Sequence, residues 1–165
     1  MKKFLAIVLI TLTLTTIAIA QDSKFDAGLR LGIMNNFGGI SARYSLSETS
    51  KVEALVSTPG FNGVIFTGMY QIHKQIGDVE DLSWYFGGGI HLGNWKGATS
   101  TWNGSTWVSR DFALGLDAII GVQYNMGSLI NFPLLLSLDY KPAYDIFGYW
   151  ATNWGGVALS IRYAL

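Results

Sequence analysis

His91, Ser109 and Asp111 are the residues whose types suit hydroxyl-nucleophile chemistry. An imidazole can take the proton of a serine hydroxyl while a carboxylate orients the ring. In the alternating pattern around them the three share one facing. His91 closes one candidate strand, and Ser109 and Asp111 open the next at similar height. The long connection between them leaves the register free, however, and Ser and Asp are common in strand-flanking loops. No catalysis is therefore expected. His73, the other histidine, falls on the same face but at the opposite end, so the two cannot build one site. With no Cys in the chain, thiolate chemistry, disulfides and thiolate metal sites are excluded. No metal or other cofactor is expected. Gly87-Gly88-Gly89 lacks the downstream helix of a phosphate-binding loop and reads as a strand bend or close packing.

A second set of residues is charged: Asp26, Arg30, Arg43, Glu53, Asp117 and Arg162. They stand on faces otherwise made of Gly, Ala and Ser. If those faces point inward, the charges must pair, because a lone buried charge is costly. Strand order sets Asp26 beside Arg162 and Glu53 beside Arg43, with Arg30 and Asp117 near mid-height. A packed polar interior that fixes closure is favoured over an ion path. A third set is aromatic: Trp95, Trp102 and Trp107 in one long connection, and Tyr149, Trp150 and Trp154 in another, with Tyr144 and Phe147. Such rings either sit among lipid headgroups or form a binding platform. No ligand can be named from them.

The elements that position these residues are strands. From residue 25 onward, apolar residues alternate with small or polar ones at period two, most clearly over 112–124. The pattern predicts eight strands, at 25–34, 40–46, 52–58, 62–73, 82–93, 112–124, 131–141 and 155–165. Most approach the ~9–11 residues that cross a bilayer at a tilt. The turns expected at one end are 47–50, 74–81 and 125–128. The loops expected at the other end are 35–39, 59–61, 94–111 and 142–154. The two longest connections share one end, as in membrane barrels.

Residues 1–20 read as a cleaved secretory signal: Lys2 and Lys3, an apolar stretch, then Ala18-Ile19-Ala20. The mature domain is then 21–165. Charged residues make up only 13% of the chain and mean hydropathy is +0.31, whereas a soluble surface needs about a quarter or more charged residues. The mature sequence contains no apolar run near the ~20 residues of a spanning helix. Apolar surface must then lie on strands. The alternative, a soluble barrel with its apolar face inward around a ligand, would leave Gly, Ala and Ser as its water-facing side, a poor surface; the same small residues suit a crowded lumen. Phe25, Tyr70, Trp84, Tyr124, Phe132 and Tyr163 form an aromatic girdle at the end carrying the termini. A net charge of +0 gives no sign of nucleic-acid binding.

The chain resembles the small outer-membrane β-barrel proteins of Gram-negative bacteria. The motifs that carry the resemblance are Trp84-Tyr85-Phe86-Gly87-Gly88-Gly89-Ile90-His91-Leu92-Gly93, Leu138-Asp139-Tyr140-Lys141-Pro142 and the closing Ala158-Leu159-Ser160-Ile161-Arg162-Tyr163-Ala164-Leu165. It implies an all-β, eight-stranded, antiparallel up-and-down transmembrane β-barrel of the outer membrane. The implied partners are outer-membrane lipids, lipopolysaccharide and the barrel assembly machinery. Such barrels usually end in an aromatic residue, whereas this chain ends in Leu165 with Tyr163 two positions earlier. The resemblance implies a structural or surface-binding role. A lipid A- or phospholipid-modifying enzyme and a narrow pore are the alternatives.

Overall fold

The computed structural model describes the backbone of residues 24–33, 37–59, 63–102, 105–147 and 152–165. It describes the side chains of 24–33, 38–58, 63–94, 112–147 and 156–165. Eight strands follow one another: β1 (Phe25–Gly32), β2 (Phe37–Ser45), β3 (Ser50–Pro59), β4 (Gly63–Ile76), β5 (Val79–Trp102), β6 (Ser105–Asn125), β7 (Leu134–Phe147) and β8 (Thr152–Ala164). A single helical turn, α1 (Gly127–Ile130), lies between β6 and β7. Each strand pairs antiparallel with the next, and β8 pairs with β1, closing the barrel without an edge. The protein is an eight-stranded, antiparallel, up-and-down transmembrane β-barrel.

Period two divides each strand between two environments. In β1, Leu29 and Leu31 are exposed while Asp26 and Arg30 are buried. In β7 and β8, Leu138, Tyr140, Leu159 and Ile161 are exposed while Ser137, Asp139, Ser160 and Arg162 are buried. The polar side is therefore the interior and the apolar side the outer wall, the inverse of a water-soluble barrel. Among the described residues no helix is long and apolar enough to cross a membrane. At the end carrying the termini, Phe25, Tyr70 and Phe132 stand exposed, and Phe132 meets Tyr163 with ring centroids 5.3 Å apart.

Several predicted boundaries move. The connection read as a loop over 94–111 is mostly strand. Residues 96–102 of β5 pair only with 105–110 of β6, because β4 stops opposite Trp95 and β7 stops opposite Leu114. At ~3.3 Å per residue this two-stranded ribbon extends about 23 Å beyond the last β4–β5 pair. The loop predicted over 142–154 is shortened because β7 runs through Pro142 to Phe147. A register shift between Lys141 and Ala143 accommodates the proline, which has no N–H for the ladder. The turn over 74–81 shrinks to Gly77-Asp78, with Gly77 at φ +57°. Asn131 does not begin β7: it caps α1 in the left-handed conformation at φ 50°, and β7 starts at Leu134.

Candidate functional site

The lumen holds the chemistry-bearing side chains, and they fall into three bonded groups. The first joins β1, β2, β3 and β6 near the termini. Arg43 donates through Nε to Asp26 (2.7 Å) and through Nη2 to Gln123 (2.7 Å), and the Lys51 ammonium is 3.5 Å from Asp26. Beside it, Arg162 on β8 donates to Glu53 (2.8 Å), Ser41 (2.8 Å) and Ser137 (2.7 Å). Gln71 donates to the other Glu53 oxygen at 2.5 Å, and His73 stands 3.2 Å from the Gln71 side-chain oxygen. Arg43 and Arg162 are 0% and 1% exposed. The barrel thus takes both guanidinium groups out of water; Arg162 is met by oxygens at Nε, Nη1 and Nη2, and Arg43 at Nε and Nη2, as holding such charges in an interior requires.

The second group is Arg30, Tyr85 and Asp139. Arg30 donates to one Asp139 oxygen and the Tyr85 hydroxyl to the other, the latter at 3.1 Å. The third is His91, Asp117, Asp145 and Lys141. His91 faces Asp117 through Nδ1 at 2.6 Å and Asp145 through Nε2 at 2.9 Å, and the Lys141 ammonium donates to Asp117. Between the charged groups, Leu55, Met69, Tyr85 and Ile119 form a buried apolar cluster inside the barrel.

The predicted neighbours stand side by side, and the hydrogen bonds add further partners. Asp26 does lie near Arg162, at 3.9 Å, but its hydrogen bond comes from Arg43. Glu53 is the register partner of Arg43, yet it bonds Arg162 from across the lumen. Arg30 and Asp117, expected only near mid-height, pair with Asp139 and with Lys141 and His91 respectively. The reason is length: in a narrow bore an arginine spans more than one interstrand distance, so Arg43 bonds both its register partner Asp26 and the distant Gln123, and Arg162 reaches Glu53. Asp139 and Asp145 were missed as site residues. Continuing period two past Pro142 puts 139, 141, 143 and 145 on one face, and that signal would have found Asp145.

The predicted His91, Ser109 and Asp111 constellation does not assemble at one height. His91 pairs with Gly115, and Asp111 pairs with Trp95. Along β6, Asp111 is four residues beyond Gly115 and Ser109 is six, so their backbones stand about 13 Å and 20 Å further out. The side chains of Ser109 and Asp111 lie outside the described residues. In addition, both ring nitrogens of His91 are engaged by carboxylates, leaving neither to take a serine proton. Of the predicted aromatic platform, the side chains of Trp95, Trp102, Trp107 and Trp154 lie outside the described residues, as do Tyr149 and Trp150 altogether. Among the described residues no three His, Cys, Asp or Glu are arranged to hold a metal ion.

Fold and lumen together define the class: a small transmembrane β-barrel whose interior is filled by its own side chains. No family model and no curated protein matches the chain. Solved structures do. The N-terminal β-barrel domain of Pseudomonas aeruginosa OprF matches with a TM-score of 0.58 at 14% identity, over 84% of this chain and 95% of that one. A de novo designed transmembrane β-barrel matches with a TM-score of 0.56 at 14% identity, over 89% of this chain and all of that one (100%). At these identities the likeness is one of fold.

Proposed function

We propose that the chain is exported by cleavage of residues 1–20 and assembled into the outer membrane of a Gram-negative bacterium. There it serves as a non-catalytic, non-conducting barrel with a structural or surface-binding role. The carrying observation is the packed lumen. Arg43, Gln71, Tyr85 and Ser160 are each 0% exposed although they face the bore, which supports a lumen closed by its own side chains. The apolar outer wall supports the membrane setting, and the doubly engaged His91 ring speaks against the enzyme reading. The partners of this reading are outer-membrane lipids, lipopolysaccharide and the barrel assembly machinery. The β5–β6 ribbon, whose strands include Trp95, Trp102 and Trp107, is the surface offered to a ligand. The decisive experiment compares gel mobility of unboiled and boiled protein refolded in detergent. A heat-dependent shift is expected of a closed barrel. A single mobility, with good solubility in the absence of detergent, overturns the reading.

A further inference from the structure

The outer wall is not uniform. Across β5 to β8 it carries a shallow, open groove of about 330 Å³, lined chiefly by Trp84, Ile120, Val122, Leu138, Tyr140 and Val157. All six side chains are on the lipid-facing parity of their strands. The register gives the groove a direction. Trp84, Val122 and Leu138 form one row across β5, β6 and β7; Ile120, Tyr140 and Val157 form the next row, further from the termini. The groove therefore starts near the rim and runs toward the middle of the wall.

The rim end carries charge. Lys74 is the register partner of Trp84, and its ammonium lies 5.9 Å from the centre of the Trp84 ring. This holds a cation beside the Trp84 edge of the depression, on the strand away from Val122 and two residues before β4 ends at Ile76. Trp and Lys at such a position belong at headgroup level, where an indole prefers the interface and a lysine meets phosphate. Glu80 is also exposed at this rim, so a headgroup bearing both signs complements it better than phosphate alone.

We propose that the groove is a binding site for one glycerophospholipid of phosphatidylethanolamine type. An acyl chain lies along Val122, Leu138, Tyr140 and Val157, Trp84 packs at its upper end, and Lys74 binds the phosphate. The site rests on the reading that this wall stands in a membrane. It makes one lipid a specific component of the barrel rather than bulk solvent.

The test reconstitutes the full chain in vesicles of phosphatidylethanolamine and phosphatidylglycerol, extracts it in mild detergent, and counts retained lipid by native mass spectrometry. One phosphatidylethanolamine per barrel is expected. Val157→Phe, which fills the deep end, should abolish retention. Lys74→Ala should weaken it about fivefold, the effect of about one interfacial lysine. If Val157→Phe loses heat-modifiable migration, Val122→Phe repeats the test from the neighbouring strand. Wild type that shifts on heating but retains no lipid overturns this site and leaves the barrel reading intact; wild type that shows no shift sinks the barrel reading itself. Retention unchanged by filling the groove, or preference for phosphatidylglycerol, also overturns the proposal.

Discussion

His91 on β5 and Asp145 on β7 meet at 2.9 Å although a whole strand separates them. The residue between is Gly115, register partner of both. Six residues away the arrangement recurs: Tyr85 reaches Asp139 at 3.1 Å over Gly121, again the partner of both. A β5 donor, a β6 glycine and a β7 aspartate thus form two rungs of one design. Each rung ties three strands with a side-chain bond laid over the backbone of the middle one. The missing Cβ is what makes the crossing possible.

Replacing either glycine should break its rung. A Cβ at Gly115 would collide with the His91 ring and the Tyr144 carbonyl. One at Gly121 would stand 2.7 Å from Asp139 Cβ and 2.8 Å from Tyr85 Cζ. Overpacking of this kind costs about 1–3 kcal/mol. Urea unfolding in lipid vesicles should show Gly115→Ala and Gly121→Ala destabilised by that amount. Gly68→Ala serves as the control, because its Cβ would meet nothing within 4 Å. Equal stability of all three would refute the crossing.

Arg162 and Glu53 give a separate test of how the barrel closes. Their bond at 2.8 Å joins β8 to β3 across the bore. Glu53→Gln keeps the shape but removes the charge that faces Arg162. Breaking a buried pair from one side costs about 3–5 kcal/mol. The double substitution Glu53→Gln with Arg162→Met should cost less than the sum of the singles, since no uncompensated charge is left. Additive losses would mean that the two do not act as a pair.

The sequence shows the fold well where the membrane imposes its pattern. β1, β7 and β8 alternate cleanly because every second residue must meet lipid, and the same parity placed His73 and His91 inside. Outside that band the constraint disappears. Residues 96–102 and 105–110 continue the β5–β6 ladder with Thr, Ser and Trp but no consistent apolar face, so they read as loop. Pro142 read as a strand end because the register shift that accommodates it is not visible in composition. The lumen residues were legible as a set, and their partners only where adjacent strands supply them, as for Asp26 and Arg162. Pairing depends on how far a side chain reaches over its neighbours, and the two glycines that permit such reach look like any other small residues of the inner face.

The outward facing of Leu159 distinguishes a lipid-facing wall from a water-facing one. It stands in register with Leu31 and Leu138, in the interior of the apolar wall. A water-exposed site would accept Leu159→Arg within about 0.5 kcal/mol. At the middle of a bilayer the same change costs about 2–4 kcal/mol. Vesicle-based unfolding should give the larger figure, and the smaller one would place Leu159 in water.

His91 and Ser109 should be dispensable for lipid chemistry. Their backbones are held apart by the β5–β6 register, and the His91 ring is bonded on both sides. Cells carrying His91→Ala or Ser109→Ala should show the same lipid A and phospholipid profile as cells with the wild-type protein. Loss of a modified lipid species in both variants would restore the enzyme reading.

Conduction is the sharpest test of the lumen. Among the described residues Arg43 and Arg162 are the largest fully buried side chains. They stand on β2 and β8, on either side of β1, and project into the same space, each within 3.9 Å of Asp26. Beyond them the apolar cluster of Leu55, Met69, Tyr85 and Ile119 forms a second obstruction. An eight-stranded barrel is just wide enough for its side chains to fill, and the proposed non-conducting role rests on that filling. Wild-type protein in planar bilayers should therefore be silent at high load. Truncating only the arginines should also leave it silent, because the apolar cluster remains. Conductance should appear only when Arg43→Ser and Arg162→Ser are combined with Leu55→Ser and Met69→Ser. Discrete openings in the wild type would mean that the packed interior is not the resting state of the lumen in a membrane.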